Sequence, residues 1–262
     1  LPGRFAAGHA AANNVYIVCH DLRLALRAGN SNASMRKRGR VFMPKRAFAE
    51  KRPWLVASLV AGITYFFARN SEVPGIYLMA WKGAGVAMLA AYALARHKDA
   101  DSRQIAAVMA FGALGDVLIE LVLEWGAIAF LIGHLIAIRL YWRHRREPLA
   151  FSQKLAAVGM AVLIPTISFL LPLDRAAAPG VALYALGLGM MAASAWTSSF
   201  SRYRVGIGAV MFAVSDLLIF ARMGPLAQSQ VPGLLIWPLY YFGQFLICTG
   251  VVGELQRRNA TS

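Results

Sequence analysis

The stretch Val108–Glu120, VMAFGALGDVLIE, is apolar enough for the interior of a membrane, yet it contains an aspartate, Asp116. A second stretch, Gly208–Phe220, GAVMFAVSDLLIF, repeats the pattern around Asp216. A small residue precedes each acid, Gly115 or Ser215, and an aliphatic VLI or LLI run follows. A carboxylate at the bilayer centre costs about 2.5–3.5 kcal/mol on insertion scales, whereas a leucine there returns only about 0.5 kcal/mol. Packing alone does not call for such residues, so the two aspartates are the first candidates for function.

The composition around them sets the class. Of 262 residues, 58% are hydrophobic, against about 45–50% in soluble domains. The mean hydropathy is +0.54. The net charge of +15 falls in short segments between apolar runs, which points to topology signals and contact with anionic lipid headgroups rather than to nucleic acid. No nucleic-acid-binding module appears. The two cysteines, Cys19 and Cys248, do not form a disulfide framework by their placement.

A membrane-crossing helix needs about 20 apolar residues. Eight segments qualify, beginning near Pro53, Pro74, Gln104, Trp125, Leu155, Pro179, Arg204 and Leu234. The expected fold is therefore all-α, a polytopic bundle of eight transmembrane helices. The loops alternate between basic and nearly uncharged. A basic run from Arg36 to Arg52 precedes the first span, and RHRREPLAFSQK, FSRYR and the ELQRR tail are likewise basic. The positive-inside rule then places both termini in the cytoplasm, and a bacterial inner membrane is the expected location. Residues 1–52 are expected to be a basic leader, disordered or artefactual, with Met35 and Met43 as candidate starts. Residues 53–253 make the membrane domain, and 254–262 a short cytoplasmic tail.

The GDVLI/SDLLI match carries over to the following spans, where Gly133-His134-Leu135-Ile136 aligns with Gly243-Gln244-Phe245-Leu246. Two parallel four-helix repeats are one reading of this order, and chance similarity between apolar segments is the other. In the repeat reading Asp116 and Asp216 face each other across a pseudo-two-fold axis. By helix rise, each aspartate lies about 18 Å from the cytoplasmic end of its span, and Lys82 about 12 Å from the outer end of its own. His134, Tyr241 and Gln244 fall at similar depths, and Glu120 sits one turn beyond Asp116. A single polar cavity is the simplest expectation. Each residue also has a structural reading. Lys82 snorkels or neutralises an aspartate, His134 bridges helices, and Tyr184, Tyr240 and Tyr241 anchor at the interface.

GDVLIE in the third span, FLIGH in the fourth, SD in the seventh and YYFGQ in the eighth, with Lys82 in the second, resemble the YhhN-like lysoplasmalogenases over residues 53–253. The resemblance implies hydrolysis of the vinyl ether bond of lysoplasmalogens to a fatty aldehyde and a glycerophospho-base. It makes Asp116 and Asp216 the central acidic residues. Lys82, His134, Tyr241, Gln244 and Glu120 are expected to bind substrate or tune the site. The chemistry suits two carboxyl groups, because protonation of the alkene carbon makes an oxocarbenium ion that water then traps. One carboxyl acts as acid and the other as base, in roles left open at this point. No metal-ligand spacing and no GxSxG elbow occurs, and no cofactor is expected. The expected partners are a lysophospholipid substrate and the bilayer. The main rival is a proton-coupled transporter of lipid or small molecules, which also carries ionisable groups at mid-membrane. An intramembrane aspartyl protease ranks below it, since Ala113-Leu114-Gly115-Asp116 departs from GxGD.

Overall fold

The computed structural model describes residues 52–96 and 99–261, so the leader expected at 1–52 lies outside the described residues apart from Arg52. Eight helices follow in order: α1 Pro53–Ala68, α2 Gly75–Arg96, α3 Ala100–Leu118, α4 Leu123–Arg143, α5 Phe151–Leu170, α6 Ala178–Thr197, α7 Ile207–Arg222 and α8 Val231–Thr261. A π-helical turn, Arg202–Gly206, leads into α7. No β-strand occurs among the described residues. Six of the helices are long and apolar enough to cross a membrane: α2, α4, α5, α6, α7 with its π turn, and α8.

The remaining two differ for physical reasons. α1 has 16 residues, a length of about 24 Å at 1.5 Å per residue, short of the roughly 30 Å hydrocarbon core. α3 carries Asp101 and Arg103 in its first turn as well as Asp116. That first turn also explains why α3 begins at Ala100 rather than near Gln104. The Asp99 carboxylate accepts a hydrogen bond from the Ser102 backbone N–H at 2.7 Å, and such a cap starts a helix ahead of its apolar stretch. At the other end of the chain, the residues read as a short tail continue α8 as helix to Thr261.

Consecutive helices pack on one another from α1 to α4. α4 then packs on α6, α6 on α7, α7 on α8, and α8 returns to α1, α2 and α3. Only Ile164 and Ser168 of α5 are buried, so this helix lies on the outside against α6. Glycines set a close backbone crossing between α7 and α8. A Cβ on Gly208 would stand 2.7 Å from the Gly243 carbonyl oxygen, and one on Gly243 would stand 2.8 Å from the Gly208 carbonyl. Helices approach this closely only where small residues line the contact.

Polar bonds gather the basic end. Asp101 on α3 takes Arg143 at 3.1 Å and His144 Nε2 at 2.6 Å. Arg258 on α8 reaches His144 Nδ1 at 3.1 Å and Ser199 Oγ at 2.9 Å. These contacts tie α3, α4, α8 and the turn before α7 together. The centre of the bundle is aromatic: Phe130 of α4, Phe212 of α7 and Tyr240 of α8 meet edge to face, with centroids 5.2–6.1 Å apart.

Candidate active site

Asp116 lies two residues before the end of α3 and is 2% exposed. Its Oδ2 accepts a 2.7 Å hydrogen bond from the Tyr240 hydroxyl. Asp216 of α7 is 5% exposed. Its Oδ2 accepts from the Tyr184 hydroxyl at 2.6 Å, and Ser215 Oγ stands 3.4 Å from Oδ1. The Tyr184 hydroxyl gives its proton to Asp216, so it accepts from His134 Nε2, 3.2 Å away. The proton on His134 is therefore assigned to Nε2. Burial of a carboxylate is tolerated only with such partners.

The two dyads touch through rings rather than through each other. No hydrogen bond joins the two carboxyl groups. Phe212 packs on Tyr240, the partner of Asp116, and on His134, the neighbour of Tyr184, each at 5.2 Å between centroids. A linked path thus runs Asp116–Tyr240–Phe212–His134–Tyr184–Asp216.

The expected residues do not share one cavity: Asp216 lines one, and Lys82 and Glu120 line another. One is an apolar groove of about 440 Å³ between α4, α6 and α7. Glu124, Tyr184 and Asp216 are the polar side chains on a wall otherwise built from residues such as Ile128, Leu131, Leu183 and Ile219. The other is a polar basin of about 500 Å³ lined by Arg69, Lys82, Glu120, Arg222 and Trp237, among others. The physical reason is the aromatic centre. Tyr240 packs against Phe130 of the groove wall at 5.8 Å and against Trp237 of the basin wall at 5.7 Å, so its ring stands between them.

The other expected site residues divide accordingly. Lys82 Nζ pairs with Glu120 Oε1 at 2.6 Å in the basin. His134 joins the Asp216 dyad, as described. Gln244 is buried one turn along α8 from Tyr240, beside Gly112. A Cβ on Gly112 would stand 3.1 Å from the Gln244 amide nitrogen and 3.5 Å from the Tyr240 hydroxyl. Tyr241 does not reach either aspartate. Its hydroxyl meets Ser58 Oγ at 2.9 Å, and Ser58 donates to the Gly85 carbonyl at 2.6 Å. Its ring fills the space at Gly62, where a Cβ would stand 2.3 Å away.

Tyr184 and Tyr240 are thus the hydroxyls at the aspartates, although a sequence reading assigns them to the interface. One signal was available for Tyr240, since it precedes Gln244 by one helical turn and so shares its face. Tyr184 carries no comparable mark. Among the described residues no cluster of three or more His, Cys, Asp or Glu could hold a metal ion.

Fold and site together define an all-helical, multi-pass membrane protein with two tyrosine-bonded carboxyl groups in its interior. The YhhN family model matches residues 77–251, and the chain belongs to this family, the lysoplasmalogenase family. The matched stretch contains Lys82, both aspartates, His134, Tyr184 and Tyr240. No curated protein and no solved structure gives a significant match. Membership suggests a lysoplasmalogenase-like membrane hydrolase.

Proposed function

We propose that the protein hydrolyses the vinyl ether bond of a single-chain ether lysolipid, a lysoplasmalogen, using Asp116 and Asp216 as its acid–base pair. The observation that carries this reading is Asp216 on the wall of an apolar groove. A hydrocarbon chain is the ligand that such a groove holds by burial alone. The protein would be an eight-span bundle with its basic end in the cytoplasm, α1 and α3 crossing beside the six long apolar helices. The α3–α4 and α7–α8 pairings support the two-repeat reading, in which Phe130 and Tyr240 occupy corresponding positions. The aspartates differ in consequence. Tyr240 serves Asp116, whereas the ring of Phe130 offers no hydroxyl and Tyr184 from α6 serves Asp216.

The roles follow from which side of the bond each carboxyl meets. In a vinyl ether the proton adds to the alkene carbon on the chain side. With the chain in the groove, that carbon faces Asp216, which gives the proton as general acid. The positive charge then lies on the carbon bonded to oxygen, on the headgroup side. Asp116 takes a proton from the water that attacks this carbon. The hemiacetal formed carries the new hydroxyl. Its C–O bond to the glycerol breaks as Asp116 returns its proton to the glycerol oxygen and Asp216 takes the hydroxyl proton, leaving a fatty aldehyde and the glycerophospho-base. One water is consumed, and both carboxyl groups return to their starting state. Tyr184 and Tyr240 hold the carboxyl oxygens in place by hydrogen bonds that are strongest when the acceptor is charged.

The test is release of fatty aldehyde by the purified protein in detergent from lysoplasmalogen, with a saturated-ether lysolipid as control. Aldehyde release without any ion gradient is expected. Uptake of lipid or proton into sealed vesicles with no aldehyde formed would sink the hydrolase reading in favour of a carrier.

A further inference from the structure

The basin does not take part in the chemistry just described, and its charge is unusual for its position. It lies at the end of the bundle that carries few charges, where the connectors hold Arg69, Glu72, Glu124, Asp174, Arg175 and Arg222. The positive-inside rule accounts for cations at the opposite, basic end and gives no reason for them here. Yet Arg69 from the end of α1, Arg222 from the end of α7 and Lys82 from within α2 converge on one cavity.

The partners of these cations leave the cavity positive. Glu120, half-exposed, is the acidic residue of the lining, and it pairs with Lys82. Arg69 stacks over the Phe66 ring, 4.3 Å from its centroid, and makes no ion pair among the described residues. The Arg222 side chain has neither a hydrogen-bond nor an ion-pair partner among the described residues. Two guanidinium groups therefore stand without a carboxylate beside an ion pair. Guanidinium groups recognise phosphate oxygens in pairs, and a cavity with net positive charge favours an anion.

The basin also sits where a headgroup would have to be. Its wall residue Trp237 packs on Tyr240, which bonds Asp116, and Lys82 pairs with Glu120, four residues beyond the same aspartate. On the far side of Tyr240 lies the apolar groove. A lysolipid has the same order: phosphate, glycerol, ether bond, then chain.

We infer that the basin formed by Arg69, Lys82 and Arg222 is the binding site for the phosphate of the lysolipid headgroup, and that it selects phosphate-bearing single-chain lipids over their phosphate-free counterparts. The inference rests on the proposed substrate class and names its specificity element. Arg69 and Arg222 grip the phosphate oxygens. Lys82 stands at the inner edge toward Asp116, held by Glu120.

The test measures binding without cleavage. The full-length protein in detergent is titrated with a saturated alkyl-glycerophosphocholine and with the matching alkylglycerol, neither of which has a vinyl ether to hydrolyse. The wild type is expected to bind the phosphate-bearing ligand at least tenfold more tightly, the scale of hydrogen bonds to charged groups. Arg222→Gln and Arg69→Gln should each weaken that ligand by about tenfold and leave alkylglycerol binding unchanged. Equal affinity of the wild type for the two ligands would overturn the inference, as would equal weakening of both ligands in the variants. Inorganic phosphate is titrated separately. If phosphate binds with the same sensitivity to the Arg variants and the alkyl-glycerophosphocholine does not displace it, the basin is a free-anion site and the headgroup assignment falls. A wild type with the phosphate preference that releases no aldehyde from lysoplasmalogen keeps the basin and sinks the hydrolase. Aldehyde release without the preference does the reverse.

Discussion

Tyr240 and Asp116 lie 124 positions apart and meet through a 2.7 Å hydrogen bond in the middle of the bundle. The bond joins α8 to α3, and the Tyr240 ring at the same time separates the apolar groove from the cationic basin. One side chain thus positions a carboxyl group and packs against the walls of both spaces. Asp216 reaches the equivalent state through Tyr184 on a different helix.

Replacing either aspartate by asparagine keeps shape and removes proton transfer. Asp116→Asn and Asp216→Asn should each lower aldehyde release by about 10²–10⁴-fold, the usual range for general acid–base catalysis. The double variant should lose little more than the worse single one, because groups acting as a unit are not additive. Near wild-type rates in both well-inserted single variants would exclude the acid–base assignment.

Tyr240→Phe and Tyr184→Phe retain the rings that pack the centre and delete the hydroxyls. A hydrogen bond to a charged group contributes about 1.5–3 kcal/mol. The expected loss in kcat is about 10–100-fold, with KM little changed. Thermal unfolding of each variant separates a catalytic from a structural contribution. An unchanged kcat with a lowered Tm would assign the hydroxyl to stability alone.

The groove can be shortened without disturbing the packing. Gly180 lines it, and a Cβ there meets nothing within 4 Å. Gly180→Phe should shift the preference toward shorter chains, at about 0.8 kcal/mol for each methylene denied burial. Competition between long-chain and short-chain substrates measures this directly. An unaltered chain preference would mean that the hydrocarbon lies elsewhere.

The α7–α8 crossing tolerates no added volume. Gly208→Val places atoms against the Gly243 carbonyl, which stands 2.7 Å from the first added carbon. Overpacking of this kind costs about 1–3 kcal/mol. A fall in Tm in detergent is expected for Gly208→Val. Gly180→Ala, in open space, should leave it unchanged, and equal behaviour of the two would count against the crossing.

Topology is accessible to reporter fusions. A fusion after Lys154 should report the cytoplasm and one after Arg175 the opposite side, since the first lies at the basic end of the bundle and the second at the sparsely charged one. A cytoplasmic signal at Arg175 would require a different number of crossings.

The sequence by itself determined the helical, membrane-embedded class, because the apolar runs and the alternation of charged loops are local properties that the bilayer reads directly. It also marked Asp116 and Asp216, since an acid inside such a run is costly wherever the helix packs. Tertiary structure alone decided their surroundings. Tyr240 and Tyr241 are adjacent in sequence and equally aromatic, but on a helix they point about 100° apart. Only the packing of α8 against α3 and α1 sends Tyr240 to Asp116 and Tyr241 to Ser58. Likewise, depth along a helix placed the polar residues in one layer. It could not reveal that Phe130, Phe212 and Tyr240 fill the middle of that layer and split it into a groove and a basin. Depth is a one-dimensional quantity that each helix carries alone. The azimuth at which a side chain meets its neighbours is set only when all the helices pack together.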